Sequence, residues 1–383
     1  MSRPRPGVLL VGDTLNLGGT EGQFAEVACG LDRARWDVRV CCVRAEGPLR
    51  GRLEAAGLQP WSVGPSSFRS PALTLAILRL ARYLRRHTVR LVHCFDFYSN
   101  ILGVSAARLA GTSVVIASQR DMGNLRSRGQ QTIHSIALGL ATHVLVNSEA
   151  IAVRLAGTRA ARRDRLAVIP NGVDLARFAP AAEEASSGRP PMRVGTLANL
   201  RPEKGLRQLV EAAAVVTRKV PRARFVIWGD GPLRSDLAGL IGARGLTGIV
   251  EMPGPTRQPE TALNRCDVFV LPSLSEASSN VVLEAMATAL PVVATRVGGL
   301  PGLVEDEGTG LLVPSDDVPA LAQAIVRLLE TPGLAARMGA RGRARALGEF
   351  GLDRMSERVD TFYCRALGPG EGAPAPREVV QRA

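Results

Sequence analysis

Lysine is nearly missing from this chain. Of 48 basic residues only Lys204 and Lys219 are lysines; the rest are arginine. Aromatic residues make up 4 % of the 383 residues and do not interleave with the basic ones, which argues against a nucleic-acid reader. The six cysteines (Cys29, Cys41, Cys42, Cys94, Cys266, Cys364) contain no CxxC pair and no framework spacing. That excludes a disulfide scaffold, and they read as buried thiols in a reducing compartment. No apolar run approaches the roughly 20 residues of a membrane span. The basic start MSRPRPGVLLVGD carries too short an apolar run for a signal peptide and reads as a first strand. Acidic residues are scarce in one half only. Residues 1–180 carry 24 Arg and 12 acids, a net +12, whereas residues 181–383 carry 24 basic and 23 acidic residues, a net +1. A bias for arginine explains the missing lysine but not the missing acids. The asymmetry points to an anionic surface or substrate on the N-terminal side.

What is present is an alternation of buried apolar strands and helices, the pattern of parallel sheets covered on both faces. VLLVG (8–12), VRVCCV (38–43), RLVHCF (90–95), SVVIAS (113–118) and HVLVNS (143–148) read as strands. Helices fall near 21–31, 72–87 and 100–109, and RLAVIPNGVD (165–174) ends in a turn. APAAEEASSGRPP (179–191) is a linker by composition. The alternation then restarts with MRVGTL (192–197), helix 204–218, RFVIWGDG (224–231), helix 232–244, IVEMPG (249–254), DVFVLPS (267–273), helix 280–290 and PVVATRVGG (291–299). Further helices follow at 317–330 and around 333–347. The expected fold class is α/β: two facing, doubly wound Rossmann-like domains, 1–178 and 192–350, with ligands at the carboxyl ends of the strands. The tail 367–383 reads as disordered.

Three stretches at strand ends carry chemistry. In SEASSNVVLEAM (275–286), Glu276 lies in the loop and Glu284 about one turn inside the following helix. Ser278, Ser279 and Asn280 are N-cap types, and small side chains around a helix N-terminus let a phosphate approach its N–H groups. The alternative reading is an ordinary capped helix with a solvated glutamate. NLRPEKG (199–205) places Arg201 and Lys204 three apart at a loop-to-helix junction, one of the two lysines standing where a diphosphate leaving group would need cations; the alternative, a solvated basic helix start, is unfavourable near the positive end of the helix dipole. LNLGGTEG (15–22) is a glycine-rich turn after the first strand, neither a GxGxxG fingerprint nor a P-loop; Gly18 and Gly19 permit close backbone approach to a phosphate, or serve only as the turn between a strand and a helix.

Taken together and in order, LGGTE (17–21), NSEAIA (147–152), IPNGVD (169–174), RPEKG (201–205), GDGP (229–232), PG (253–254), LPSLSEASSNVVLEAMATALPVVAT (271–295), VGGLP (297–301) and GTGLLVP (308–314) resemble the retaining glycosyltransferase family 4, of the bacterial group 1 type, with the GT-B fold. The resemblance covers nearly the whole chain to about residue 365, and the Glu276…Glu284 pair matches the family's EX7E signature. It implies that Glu284 binds the ribose hydroxyls of a nucleotide sugar and that Glu276 touches the donor sugar. The amides of Ser279, Asn280 and Val281 would hold the diphosphate, with Gly229 on the donor side. Arg201 and Lys204 would neutralise the leaving diphosphate, and Gly18 and Gly19 would approach from the other domain. A C-terminal helix, 351–366, would cross back to the N-terminal domain on a face of Leu352, Met355, Val359, Phe362 and Tyr363. No metal and no cofactor is expected, only the nucleotide-sugar co-substrate.

Some positions depart from the family pattern. Ala277 stands where glycine is frequent, Asn199 where many members carry a basic residue, and Leu290 where glycine often precedes the next strand. The loop QRDM (119–122) lacks the histidine that many members carry. His93, Arg120 and Asp121 are then the acceptor-side candidates, each with a structural alternative: a strand-end hydrogen-bonder for His93, an ion pair for the other two.

The implied activity is transfer of a sugar, most readily from a UDP donor, to a hydroxyl of a glycan or lipid-linked acceptor in polysaccharide or glycolipid biosynthesis. A protein of the same fold that binds nucleotide sugars without turnover is the alternative. A dinucleotide oxidoreductase is disfavoured by the missing fingerprint and the missing acid some 20 residues on. The setting expected is cytoplasmic, with an anionic membrane surface as a candidate partner. That surface is suggested by the amphipathic helix 71–87, where Arg79, Arg82 and Arg86 share one face; the alternative is a helix covering the sheet, with solvated arginines that suit its C-terminal dipole.

Overall fold

The computed structural model describes residues 5–64, 68, 71–158, 165–181 and 192–368. The chain divides into two compact units: Met1–Gly172 together with Leu352–Ala383, and Val173–Gly351.

The first unit is built on a seven-stranded sheet, β1 (Gly7–Gly12), β2 (Asp37–Cys42), β3 (Trp61–Ser62), β4 (Val89–Cys94), β5 (Val114–Gln119), β6 (His143–Val146) and β7 (Leu166–Val168). All pairings are parallel, and the order is β3-β2-β1-β4-β5-β6-β7. Every residue of β1 is buried, as a strand covered on both faces requires. The second unit repeats the plan with six parallel strands: β8 (Met192–Leu197), β9 (Ala223–Trp228), β10 (Val250–Gly254), β11 (Val268–Leu271), β12 (Val292–Thr295) and β13 (Gly310–Val313), in the order β10-β9-β8-β11-β12-β13. In each sheet the strand order reverses beside the first strand. Loops leaving β1 and β4, and those leaving β8 and β11, therefore diverge around a crevice at the carboxyl ends.

The helix Leu352–Leu367 belongs to the first unit, packing on the helix Gly19–Gly30 and on β4. Met355, Val359 and Tyr363 are buried as the docking face predicts, while Leu352 and Phe362 are half-buried at its margin. A polar residue missing from that face holds the helix as well. Buried Asp360 accepts the Trp36 indole N–H at 2.6 Å and pairs with Arg35.

Several expectations are corrected. The division falls at 172/173 rather than 178, because Val173 and Phe178 are buried in the second unit's core with Phe350. Ala179 and Ala181 are bonded to Asn264 of that unit, and the rest of the expected linker, 182–191, lies outside the described residues, as does the tail from 369. The segment expected as one helix over 100–109 is a π-helical turn, Asn100–Val104, followed by Ser105–Ala110. There Asn100 reaches the Ser118 carbonyl at 2.7 Å, and Gly103 sits so close to Cys94 that a Cβ would lie 2.4 Å from its sulfur. Of the cysteines, Cys29 and Cys266 are half-buried and the other four buried. Burial pushes the Cys42 and Cys266 thiols up to about 12, so both are unreactive. Among the described residues no helix is long and apolar enough to cross a membrane.

Candidate functional site

In the second unit the loop after β8 lies alongside the loop after β11. The Glu203 carbonyl accepts the Leu274 N–H at 2.8 Å. Gly205 adopts φ +64°, and a Cβ there would stand 1.9 Å from the Pro272 carbonyl oxygen, so only glycine permits this approach. The stitching delivers Lys204 to Glu276: Nζ lies 2.6 Å from Oε2, with the pair mostly shielded from solvent. The Ser273 hydroxyl donates to the same oxygen at 3.4 Å. The backbone of Glu276 is fixed from the other side. Gly299 N–H donates to its carbonyl at 3.1 Å, and Gly298, at φ +49°, leaves no room for a Cβ against it. Arg201 is exposed, and among the described residues its side chain makes no hydrogen bond or ion pair.

The helix Asn280–Ala287 begins at this point. Ser279 caps it, accepting the Val282 N–H at 3.4 Å, and Asn280 and Val281 form its first turn. The Ser278 hydroxyl is buried beside the cap without a partner. Glu284 is half-buried one turn in, and burial, against the opposing pull of Arg177, raises its carboxyl to about 7. Arg177 is itself bonded to Glu260 at 3.0 Å. Gly229, at φ +143°, opens the loop after β9 close to the end of β8, where a Cβ would fall 1.9 Å from the Ala198 oxygen. The six residues Arg201, Lys204, Glu276, Ser279, Asn280 and Glu284 thus lie on loops and one helix end at neighbouring strand termini. Together they form a cation–carboxylate arrangement at a helix N-terminus, suited to an anion carrying hydroxyl groups.

In the first unit Gly18 and Gly19 are exposed at the start of the helix Gly19–Gly30. Gly18 is extended, at φ −147°, and the nearest obstacle to a Cβ is the end of the Glu21 side chain. Arg120 follows β5. Its Nη2 donates to Asn171 at 2.6 Å, its guanidinium lies 5.6 Å from the Phe95 ring centre, and burial lowers it to about 10. Arg120 Nε, Asn147 Oδ1 and Ser148 Oγ are all buried without a partner. Asp121 is exposed and ion-paired to Arg126 at 2.8 Å, its other oxygen accepting the Gly123 N–H.

His93 is corrected from an acceptor-side candidate to a core residue. It is 1 % exposed, and its ring nitrogens pair with Tyr363 at 2.6 Å and Ser118 at 2.7 Å. Burial holds it well below the ordinary histidine range, hence neutral. Two polar clusters were missed by the sequence reading. One is Asn147, Ser148 and Asn171, which the quoted NSEAIA and IPNGVD segments contained. The other is Asp96, which accepts the Asp13 N–H at 2.9 Å and whose carboxyl burial raises to about 7. Its signal was a D-x-x-S capping box, Asp96 to Ser99, directly after a strand. Among the described residues no group of three or more His, Cys, Asp or Glu could hold a metal ion.

Comparison with known proteins places this geometry. The profile described as "Glycosyltransferase Family 4" matches residues 17–177, and that described as "Glycosyl transferases group 1" matches residues 191–331. An alpha-D-kanosaminyltransferase of Streptomyces kanamyceticus is 38 % identical over 168 residues, 43 % of this chain and 43 % of the relative. A D-inositol 3-phosphate glycosyltransferase of Arthrobacter sp. is 31 % identical over 298 residues, 72 % of this chain and 70 % of the relative. The chain thus spans about half the length of the first of these and more of the second. Among solved structures, Anabaena Alr3699/HepE in complex with UDP-glucose superposes with a TM-score of 0.81 at 21 % identity, covering 94 % of this chain and 99 % of that one, which shows a shared GT-B fold. With both halves matched by the two profiles and the EX7E carboxylates standing at the second unit's switch point, the chain belongs to glycosyltransferase family 4, the group 1 glycosyl transferases.

Proposed function

We propose that the protein is a retaining glycosyltransferase that moves a hexosyl group from a UDP-sugar to a hydroxyl of a glycan or lipid-linked acceptor, without a metal ion. The observation that carries this reading is the Lys204–Glu276 pair beside the N-terminus of Asn280–Ala287, with Glu284 one turn further on. In this reading Lys204 and Arg201 stabilise charge building on the diphosphate as the glycosidic bond breaks. The N–H groups of Ser279, Asn280 and Val281 hold the β-phosphate, Glu284 accepts the ribose hydroxyls, and Glu276 orients both Lys204 and the sugar. Gly229 leaves room for the nucleotide. Gly18 and Gly19 offer backbone N–H groups, and Arg120 and Asp121 serve the acceptor. The UDP-glucose complex of the similar Anabaena protein supports the choice of nucleotide.

The step balances without a protein nucleophile. The acceptor oxygen bonds to the anomeric carbon on the face that the diphosphate leaves, and the departing phosphate oxygen takes the acceptor proton. The protein contributes positioning and electrostatics. We place the reaction on the cytoplasmic side, at or near an anionic membrane surface. A panel of UDP- and GDP-sugars, with and without EDTA, followed by NMR of the product anomer, tests the reading. Retained anomeric configuration with a UDP donor and full activity in EDTA is expected. Inverted product, a GDP preference or loss of activity in EDTA would each overturn the corresponding part.

A further inference from the structure

The two sides of the first sheet carry different surfaces. Right-handed crossovers put the helices that enter β4, β5, β6 and β7 on one side, and those that enter β2 and β3 on the other. On the first side, Ala72–Arg86 packs on Ser105–Ala110, and that segment on Arg128–Leu140. On the second, Gly19–Gly30 packs on Leu49–Ala55 and Leu352–Leu367.

The first side is apolar and basic at once. The outward stripe of Ala72–Arg86 shows Leu75 and Leu78 together with Arg79, Arg82 and Arg86. Ser105–Ala110 adds Leu109 and Arg108. Arg128–Leu140 adds Ile133, Ile136, Leu140 and Arg128, and Glu149–Leu155 adds Val153 and Arg154. These seven aliphatic side chains are between 45 and 72 % exposed. Among the described residues the six arginines have no hydrogen-bond or ion-pair partner for their side chains. The four helices contain a single acid, Glu149. The three helices of the opposite side expose no large aliphatic chain among the described residues, and acids stand beside their arginines: Arg52 pairs with Glu26 at 2.5 Å, Arg50 with Glu54 at 2.8 Å and Arg354 with Glu357 at 3.4 Å.

Exposed aliphatics interspersed with unpaired cations, and almost no acids, are the pattern of a surface that rests in an anionic lipid interface. Single exposed aliphatics are ordinary, but here seven share one side with six unpartnered arginines and one acid, and a protein partner of balanced charge would not match a one-signed face. We propose that this four-helix side of the first unit docks on an anionic phospholipid bilayer. The proposal rests on the glycosyltransferase reading only in explaining why the protein would sit there, to meet a lipid-linked acceptor.

The test uses vesicles and no nucleotide or acceptor, so it stands apart from catalysis. The protein is sedimented with phosphatidylcholine vesicles with and without phosphatidylglycerol, at low and high salt. Binding to the anionic vesicles only is expected. The Arg79→Ser/Arg82→Ser/Arg86→Ser variant should lose about a hundredfold in partitioning. The Ile133→Ser/Ile136→Ser variant should lose about tenfold. Arg50→Ser/Arg354→Ser on the opposite side should bind as wild type. Ile136→Trp, which adds a reporter with little change, should shift its emission to the blue on anionic vesicles. Equal binding to neutral vesicles, an equal loss in the opposite-side variant, or an Ile136→Trp emission that ignores vesicles overturns the proposal. So does a dimer in solution that Ile133→Ser/Ile136→Ser dissociates without any vesicle binding by wild type.

Discussion

Lys204 is held in place before any ligand arrives, because Glu276 fixes its ammonium at 2.6 Å. A group aimed in advance at developing charge loses little by reorganising, so its removal should be felt in the rate more than in binding. Lys204→Ala and Arg201→Ala are each expected to lower kcat by about 10²-fold or more, with nucleotide affinity changed much less. Near-normal turnover in both would remove the diphosphate assignment. Glu284 gives a prediction of opposite character. Its carboxyl is raised to about 7 from an unfolded value of 4.5, so the folded state holds the proton more tightly. Stability is then greatest below about pH 4.5 as far as this group is concerned, and declines as pH rises toward 7. Glu284→Gln should remove that decline, gaining on wild type by at most about 3 kcal/mol between pH 5 and 8, read from denaturant midpoints. These two residues were legible in the sequence because a lysine in an arginine-rich chain and a carboxylate inside a capped helix each break a local expectation. His93 was ambiguous because a strand-end histidine looks the same whether it faces a ligand or, as here, Tyr363 and Ser118, partners 270 and 25 residues away in sequence.

Loops and helix ends show where local sequence signals run out. Pro291 predicts that the preceding helix reaches Leu290, yet it stops at Ala287, because Thr288 turns its hydroxyl back to the Ala285 carbonyl and Ala289 takes φ +59°. A non-glycine residue in that conformation costs about 1 kcal/mol. Ala289→Gly should therefore raise stability by about that amount, measured by chemical denaturation. The turn is also fixed from outside, since a Cβ on Gly339 of the helix Pro332–Arg345 would lie 2.0 Å from the Ala289 oxygen. Nothing between residues 287 and 291 announces a contact with residue 339. The glycines around the second unit's site were legible as motifs but not as spacers. Gly205→Ala or Gly298→Ala would force apart the backbones that present Lys204 and Glu276. Each is expected to lower kcat by at least about 10²-fold, since a 1 Å displacement has that effect on an aligned site. Circular dichroism and melting would separate this from global unfolding.

At the scale of the molecule, the alternation of strands and helices made two parallel-sheet units readable, while the point where one ends and the next begins was not. Composition marks 179–191, but packing of Val173 and Phe178 decides the division. The return of the C-terminal helix to the first unit was implied by family resemblance, and its apolar spacing agreed. Its polar anchor, Asp360 with Trp36 and Arg35, was hidden by a separation of more than 300 residues. Asp360→Asn should cost about 3 kcal/mol, because it leaves a shielded guanidinium without its counter-charge. Tyr363→Phe should cost about 1–3 kcal/mol by leaving a buried His93 nitrogen unpaired. Both losses should be seen in the unfolding of the first unit. The discontinuity of that unit also bears on how the chain is made. When a ribosome has released residues up to 172, the first core still lacks Met355, Val359 and Tyr363, and Trp36 still lacks its acceptor. The second unit, contiguous from 173 to 351, is complete before the first can close. A nascent chain should then become protease-resistant in its middle before its beginning, and a stop codon at residue 352 should leave a folded second unit tethered to an unfinished first.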